Sequence, residues 1–111
     1  ISINPSLNSS SINLIKKNIF KKFKDNLIVV NTSRGEVVDE NYLLHLVKKR
    51  GFIYSCDVLS NEQDIKKLKK SAIFKESKLN DNITITPHIA GATYESQLKA
   101  LKIILKICNG F

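Results

Sequence analysis

Short apolar runs alternate along the chain with segments that have the period of a helix. The apolar runs occupy residues 1–3, 27–31, 52–58 and 83–86. Between the first two runs, apolar residues recur every three or four positions at Ile12, Ile15, Ile19 and Phe23, which is the spacing of one helical face. Pro87 ends the fourth run because proline cannot donate a hydrogen bond to a strand ladder. The alternation predicts four strands connected by helices.

One predicted helix has a signal at each end. Asp39 is a candidate N-cap and Gly51 a candidate C-cap, and the apolar face between them contains Leu43, Leu46 and Val47.

Two further helices follow, a short one over residues 65–74 and a last one that begins near residue 92 or 93. The last helix has an apolar stripe formed by Leu98, Leu101, Leu105 and Cys108. The half-sheet of this chain is all that the sequence offers to cover that stripe.

This order of elements is typical of α/β proteins, in which a right-handed helical crossover connects each strand to the next parallel one. Continuous apolar strands such as Leu-Ile-Val-Val at residues 27–30 are typical of strands buried on both faces. We therefore predict one parallel sheet with its four strands in sequential order and helices on both faces.

The composition is that of a globular protein, with 42% hydrophobic and 25% charged residues. No apolar run approaches the roughly 20 residues of a membrane helix, and the first residues lack the basic start and apolar block of a signal peptide. The net charge of +8 raises nucleic acid as a partner. However, all but two of the 18 basic residues are lysines on predicted polar faces, whereas base recognition favours arginine and aromatic residues. We expect neither a nucleic-acid nor a membrane partner.

The two cysteines, Cys56 and Cys108, form no metal-binding or redox motif. We expect both to be buried, reduced thiols of a cytoplasmic protein, and we expect no metal site. The sequence contains no methionine and stops directly after a helical pattern, so we expect a fragment or a processed product.

Candidate chemistry follows the carboxyl ends of the predicted strands, where ligands of open parallel sheets bind. The segments at these ends are Asn4-Pro5-Ser6, Asn31-Thr32-Ser33-Arg34-Gly35, Asp57 with Glu62 shortly after it, and Pro87-His88-Ile89-Ala90-Gly91. One arginine, two carboxylates and one histidine are thereby expected at the same edge of the sheet.

Each of these side chains also has a purely structural interpretation. Arg34 could form a surface ion pair, Asp57 could cap a loop, and Glu62 could be solvated. His88 could bond to the backbone. Their convergence at one edge favours the interpretation that they act together in a functional site. His45 lies within a predicted helix and is interpreted as a surface residue.

Three segments in combination resemble the NAD-dependent D-2-hydroxyacid dehydrogenases, the family that includes phosphoglycerate, glycerate, lactate and formate dehydrogenases. They are VNTSRGEVVDENYLL, CDVLSNE and ITPHIAGATYES. The resemblance extends over essentially the whole chain. It implies an α/β fold that is the second half of a Rossmann-type doubly wound parallel sheet, with four parallel strands and flanking helices. Residues 1–111 would then be a partial dinucleotide-binding domain, without its glycine-rich half and without the substrate domain.

The resemblance also implies roles for the residues at the strand ends. Arg34, Glu62 and His88 match the catalytic residues of the family. His88 would exchange a proton with the substrate oxygen, Glu62 would orient the imidazole, and Arg34 would bind the substrate carboxylate. The implied cofactor-binding residues are Asn4, Pro5, Thr32, Ser33, Arg34, Asp57, His88, Ile89, Ala90 and Gly91.

The implied activity is hydride transfer between NAD, with NADP as the alternative, and a small D-2-hydroxy acid or 2-keto acid. The chain contains no Gly-x-Gly-x-x-Gly fingerprint, so we expect it to be inactive alone, and we expect a homo-oligomer. Two other classes remain open, namely a non-catalytic interaction module built on a truncated Rossmann-like sheet and a basic nucleic-acid-binding protein.

Overall fold

Four parallel strands form one sheet in residues 1–110, the part of the chain that this computed structural model describes. The strands are β1 (Ser2–Ile3), β2 (Ile28–Asn31), β3 (Ile53–Cys56) and β4 (Ile83–Ile85), and they are hydrogen-bonded in that order. The helices are α1 (Lys17–Phe20), α2 (Glu40–Arg50), α3 (Ile65–Lys70), α4 (Ala72–Glu76) and α5 (Tyr94–Cys108), with a 3₁₀ turn at Gly35–Val37. The predicted parallel sheet with sequential strand order is confirmed.

The register of the sheet aligns the carboxyl ends of its strands. Ile3 pairs with Asn31, Asn31 pairs with Cys56, and Cys56 pairs with Ile85. Because all strands run in the same direction, the four segments that follow them leave the sheet at a common edge. This edge is where the sequence predicts the functional residues.

The hydrophobic core lies between one face of the sheet and the helices that connect its strands. Alternate strand residues such as Val29, Tyr54 and Ile83 are buried on this face. Helices contribute Phe20 from α1, Leu43 and Leu46 from α2, and Ile73 from α4 to the same core cluster. The aromatic ring of Phe20 contacts those of Phe23, Tyr42 and Phe52, with centroids 6.1 to 6.3 Å apart.

The opposite face of the sheet is largely open, so the prediction of helices on both faces is wrong for this chain. Ile28 is 54% exposed and Ile53 is 36% exposed. With sequential strands and right-handed crossovers, every connecting helix lies over the same face. Only α5, which follows the last strand, could reach the other face, and it buries none of its residues. The predicted stripe of α5 is therefore uncovered, with Leu101 and Leu105 about half exposed.

The helix predicted from residues 12–23 is reduced to the single turn of α1. Asn13 has a left-handed backbone (φ 50°), and Ile15 forms an isolated parallel bridge with Val38. The Ser11 hydroxyl donates to the carbonyl of Ser6 at 2.7 Å, and the Asn8 side chain accepts from the amide of Ser10. These side-chain bonds organise the segment before residue 12. Further along, the amides of Asn13 and Ile15 donate to the carbonyls of Glu36 and Val37 at 2.8 and 3.0 Å rather than within a helix.

The predicted helix ends are confirmed. Asp39 accepts a hydrogen bond from the amide of Tyr42 at 3.0 Å, and Gly51 ends α2 in the left-handed conformation (φ 64°). Thr93 caps α5, whose first residue is Tyr94. The short helix predicted over residues 65–74 is divided at Ser71 into α3 and α4.

None of the helices in the described part of the chain is both long enough and apolar enough to cross a membrane.

The two cysteines differ from each other in environment. Cys56 is buried, and burial raises the pKa of its thiol to about 12, so it is an inert core residue. Cys108 is exposed on α5, which corrects the expectation that both thiols are buried. The uncovered stripe of α5 accounts for the difference, because Cys108 belongs to that stripe.

We expect Phe20→Ala to lower the free energy of unfolding by about 3–5 kcal/mol, because it empties a fully buried aromatic site. Urea denaturation of the variant and of wild type measures the difference. The control is Ile65→Ala at a residue that is 66% exposed, where a change of less than about 0.5 kcal/mol is expected. Equal losses in the two variants would contradict the position of the core.

Candidate active site

The segment after β4 presents His88 in an unusual backbone conformation. His88 has a φ of 56°, and its amide donates to the carbonyl of Thr86 at 3.0 Å. The next two amides are held by one buried carboxylate: Ile89 donates to Oδ1 of Asp57 at 2.9 Å and Ala90 donates to Oδ2 at 2.8 Å. Asp57 therefore fixes the left-handed turn that exposes the imidazole.

The charge of Asp57 is stabilised inside the protein. Burial raises the pKa of its carboxyl, but hydrogen bonds from Thr86, Ala90 and Ile89, together with the nearby His88, outweigh that effect and hold the pKa below its ordinary value of 3.8. The carboxylate is thus ionised at neutral pH, and its bonds to the His88 segment are charge-assisted.

His88 and Glu62 are in direct contact. Nδ1 of His88 lies 2.5 Å from Oε1 of Glu62, which confirms the predicted approach of these two side chains. The other oxygen of Glu62, Oε2, accepts from the amide of Leu59 at 3.0 Å. The carboxylate is therefore held from one side by its own loop and orients the imidazole from the other.

The segment after β2 presents Arg34 from a turn organised by a fully buried asparagine. Asn31 Oδ1 accepts from both the amide and the hydroxyl of Ser33 at 3.0 Å, and its Nδ2 donates to the carbonyl of Arg34 at 2.9 Å. The guanidinium of Arg34 is exposed, and its Nη1 donates to the carbonyl of Ser33 at 2.6 Å. No carboxylate of residues 1–110 forms an ion pair with it, so the structural interpretation of Arg34 as half of a surface ion pair is wrong.

Two cavities open at this edge of the sheet. One, of about 460 Å³, lies between the segment after β1 and that after β2, and its lining includes Asn4, Pro5, Ser33 and Arg34. The hydroxyl of Thr32 bonds to Asn4 Oδ1 at 3.2 Å, which joins the two segments. The other cavity, of about 570 Å³, is lined by Glu62 and His88 together with apolar side chains of α3, α4 and β4.

Comparison with known proteins points to the same family that the three sequence segments resemble. Residues 1–90 match the sequence model of a family described as D-isomer specific 2-hydroxyacid dehydrogenase, NAD binding domain. The chain belongs to this family. Within it, the chain is similar to erythronate-4-phosphate dehydrogenases from Wigglesworthia glossinidia brevipalpis (40% identity over 86% of the chain) and Legionella pneumophila subsp. pneumophila (36% over 85%). It spans 24% of the length of each of these relatives.

A solved dehydrogenase structure supports the fold and its assignment to the Rossmann type. The D-lactate dehydrogenase of Lactobacillus jensenii, a structure with NAD⁺, superposes with a TM-score of 0.77 and 28% identity over 98% of this chain and 36% of that protein. The predicted second half of a Rossmann-type parallel sheet is thereby confirmed.

The structure brings the candidate residues of this dehydrogenase domain together in two groups. Arg34 lies with Asn4 and Pro5 beyond β1 and β2, and His88 lies with Glu62 beyond β3 and β4. The strands that carry Arg34 and His88 are two positions apart in the sheet, or about 10 Å at the usual strand spacing.

Two of the predicted cofactor contacts, Asp57 and Gly91, differ in their role within the protein. Asp57, predicted as a contact of the cofactor, is engaged by Thr86 and by the amides of Ile89 and Ala90. At Gly91, an added Cβ would meet nothing within 4 Å, so the packing of the chain does not require glycine there. The cofactor contacts of both residues stay predictions.

Sequence reasoning missed two residues that shape the site. The sequence assigns no role to Asn31 within its strand-end segment and none to Thr86, yet Asn31 forms the turn before Arg34 and Thr86 binds Asp57. An asparagine that ends a strand two positions before a serine is a signal for such a turn. The contact of Thr86 depends on the pairing of β3 with β4 and has no local signal.

We expect Asp57→Asn to release the His88 segment, because an amide offers one acceptor where the carboxylate offers two. Hydrogen exchange at the amides of Ile89 and Ala90 should accelerate, and the free energy of unfolding at pH 7 should fall by roughly 1–3 kcal/mol. Since the pKa of Asp57 is lowered by folding, its contribution is present at neutral pH and is lost as the pH falls below 3.8. The difference between wild type and variant should therefore shrink in acid.

The matched control is Asp81→Asn at an exposed aspartate, which should leave the exchange of both amides unchanged. If Asp57→Asn left them equally protected at pH 7, Asp57 would not be the anchor of the segment.

Proposed function

We propose that this chain is the part of an NAD-dependent D-2-hydroxyacid dehydrogenase that carries the proton-transferring histidine. The observation that supports this most strongly is the 2.5 Å contact between His88 Nδ1 and Glu62, at the same sheet edge as an exposed arginine. A histidine whose orientation is fixed by a carboxylate is suited to general acid–base chemistry near neutral pH.

The residues around this edge are compatible with a bound dinucleotide. The cleft beside Arg34 is open and polar, and the backbone at Gly91 is accessible at close range. When bound, NAD supplies the acceptor or donor of the hydride at C2 of the substrate. The residues that would hold it are Asn4, Pro5, Thr32, Ser33, Arg34, Asp57, His88, Ile89, Ala90 and Gly91.

His88 and Glu62 account for the movement of the proton. With Nδ1 bonded to Glu62, Nε2 is the nitrogen that addresses the substrate oxygen. As a hydroxy acid is oxidised, the hydroxyl proton moves to Nε2 while the hydride leaves C2. The positive charge then resides on the imidazolium, where the carboxylate of Glu62 stabilises it. In the reductive direction, Nε2 returns the proton to the carbonyl oxygen.

Arg34 accounts for binding of an acid substrate. Its planar guanidinium can donate two parallel hydrogen bonds to a carboxylate, and the Asn31 turn projects it from the sheet edge. The names of the relatives, erythronate-4-phosphate and D-lactate dehydrogenase, support a small hydroxy acid as the substrate. We accordingly infer a small D-2-hydroxy or 2-keto acid for the whole protein.

In the full-length protein, we expect His88→Ala to lower turnover by a factor of roughly 10² to 10⁴, the usual contribution of a positioned acid–base group. Steady-state kinetics with NADH and a small 2-keto acid measure the loss. The other histidine provides the control, because His45 is exposed on α2 and stacks on Tyr42. His45→Ala should retain wild-type turnover, and a comparable loss in both variants would refute the role of His88.

The 111-residue chain by itself should show no turnover. It spans only 24% of relatives such as the Legionella protein, and positioning of two reactants alone can account for ~7–11 kcal/mol of a barrier. Measurable NAD-dependent oxidation by the purified chain would show that its residues suffice for that positioning.

We also propose that the isolated chain pairs with a second copy of itself. Support comes from the open sheet face, where Ile28 and Ile53 are exposed, and from the unpaired outer edge of β1. Sedimentation velocity should show a dimer or larger species at micromolar concentration. Ile28→Glu should shift the chain towards monomer, whereas Ile65→Glu on α3 should not. A monomer in the wild-type chain would contradict self-association.

The remaining proposals concern compartment and partners. We propose a cytoplasmic location, since both cysteines of the described residues are free thiols, as is usual under reducing conditions. We propose no nucleic-acid or membrane partner, because the lysines are spread over several helices. The alternative of a non-catalytic interaction module is disfavoured by the presence of Arg34, Glu62 and His88 together.

A further inference from the structure

Three consecutive backbone amides donate to three different glutamates in the loop after β3. The amide of Leu59 donates to Glu62 at 3.0 Å, that of Ser60 to Glu40 Oε1 at 2.9 Å, and that of Asn61 to Glu36 Oε1 at 3.2 Å. Glu36 belongs to the 3₁₀ turn that follows Arg34, and Glu40 is the first residue of α2. We define residues 59–61 with these three carboxylates as the amide clamp.

The amide clamp is reinforced by a backbone contact that only glycine allows. A Cβ at Gly35 would lie 2.0 Å from the nitrogen of Ser60 and 2.1 Å from the carbonyl carbon of Leu59. Both atoms belong to the backbone, so neither can move aside as the end of a side chain could. The segment that carries Arg34 thus packs directly against the loop that carries Glu62.

The position of Glu62 depends on this loop. Asn61, the residue before it, has a left-handed backbone with a φ of 57°, a conformation that persists in non-glycine residues when the surroundings hold it. The amide of Asn61 donates its hydrogen bond to Glu36. Loss of the clamp would let this turn relax and would carry the carboxylate of Glu62 away from His88.

We propose that Glu36 and Glu40 are positioning residues, which hold residues 59–61 so that Glu62 stays in contact with His88. The proposal rests on the acid–base role of His88 under the proposed function, and the first measurement below is independent of activity. Neither Glu36 nor Glu40 touches His88, so each acts through the backbone of the loop.

Burial and neighbouring charges both act on the carboxylate of Glu40 in the amide clamp. Burial raises the pKa of Glu40 to about 7; hydrogen bonds from Ser60 oppose this rise, and the negative charges of Glu36 and Glu62 add to it. The amides of residues 59–61 donate hydrogen bonds that stabilise the negative charge of the three carboxylates.

The first test uses NMR of the full-length protein labelled with ¹⁵N in histidine. Wild type should show the His88 signals of an Nδ1–H hydrogen-bonded to a carboxylate. Glu40→Ala should lose this signature, and Glu40→Gln, which keeps an acceptor for the Ser60 amide, should restore it. A matched loss of stability comes from Phe52→Leu, at a buried residue before β3 whose ring packs on that of Phe20, and this variant should keep the signature.

The second test is kinetic. Glu40→Ala should lower kcat by roughly 10²-fold, the scale expected for a displacement of about 1 Å in a catalytic group, with a smaller change in KM because Arg34 remains in place. Glu40→Gln should recover most of the loss. Glu36→Ala tests the proposal if Glu40→Ala does not fold, and it should lower kcat in the same way.

The outcomes separate the two proposals. If the alanine variants that fold keep the His88 signature, the positioning role of Glu36 and Glu40 is overturned whatever the activity. If the signature behaves as expected but wild type has no dehydrogenase activity, the proposed function fails and the positioning role stands.

Discussion

The buried carboxylate of Asp57 is the interaction on which the geometry of the site depends. It lies at the end of β3 and bonds to the segment that follows β4, through the amides of Ile89 and Ala90. A left-handed histidine costs on the order of 1–2 kcal/mol, and hydrogen bonds to a charged acceptor contribute about that much or more. The parallel pairing of β3 with β4 brings the two partners together, so the sheet itself determines where the imidazole lies.

The sequence predicted the sheet well because its signals are local. Each strand is a short apolar run that ends at a turn-forming residue, and α2 has a cap at both ends in Asp39 and Gly51. Parallel order then placed Arg34, Glu62 and His88 at one edge before any contact was known. The same local logic failed at residues 12–23, where the amides of Asn13 and Ile15 donate to the carbonyls of Glu36 and Val37 instead of forming a helix.

The contacts within the site could not be predicted from local signals in the sequence. That Asp57 would bind two amides, or that Gly35 would pack on Ser60, depends on distances between segments that are remote in the sequence. Coverage of the sheet depends on tertiary structure in the same way. An apolar strand indicates that both of its faces can be buried, but the direction of the crossovers decides which face the helices of this chain cover.

The exposed guanidinium of Arg34 has a consequence for the energetics of anion binding. Many surface arginines are already paired, and an incoming carboxylate must first displace the internal partner. In residues 1–110 no such competitor exists for Arg34, whose one hydrogen bond goes to a neutral carbonyl of its own turn. An acid that enters the cleft therefore meets an unneutralised charge. Removal of water from the two ions opposes the attraction, and dissolved salt weakens it.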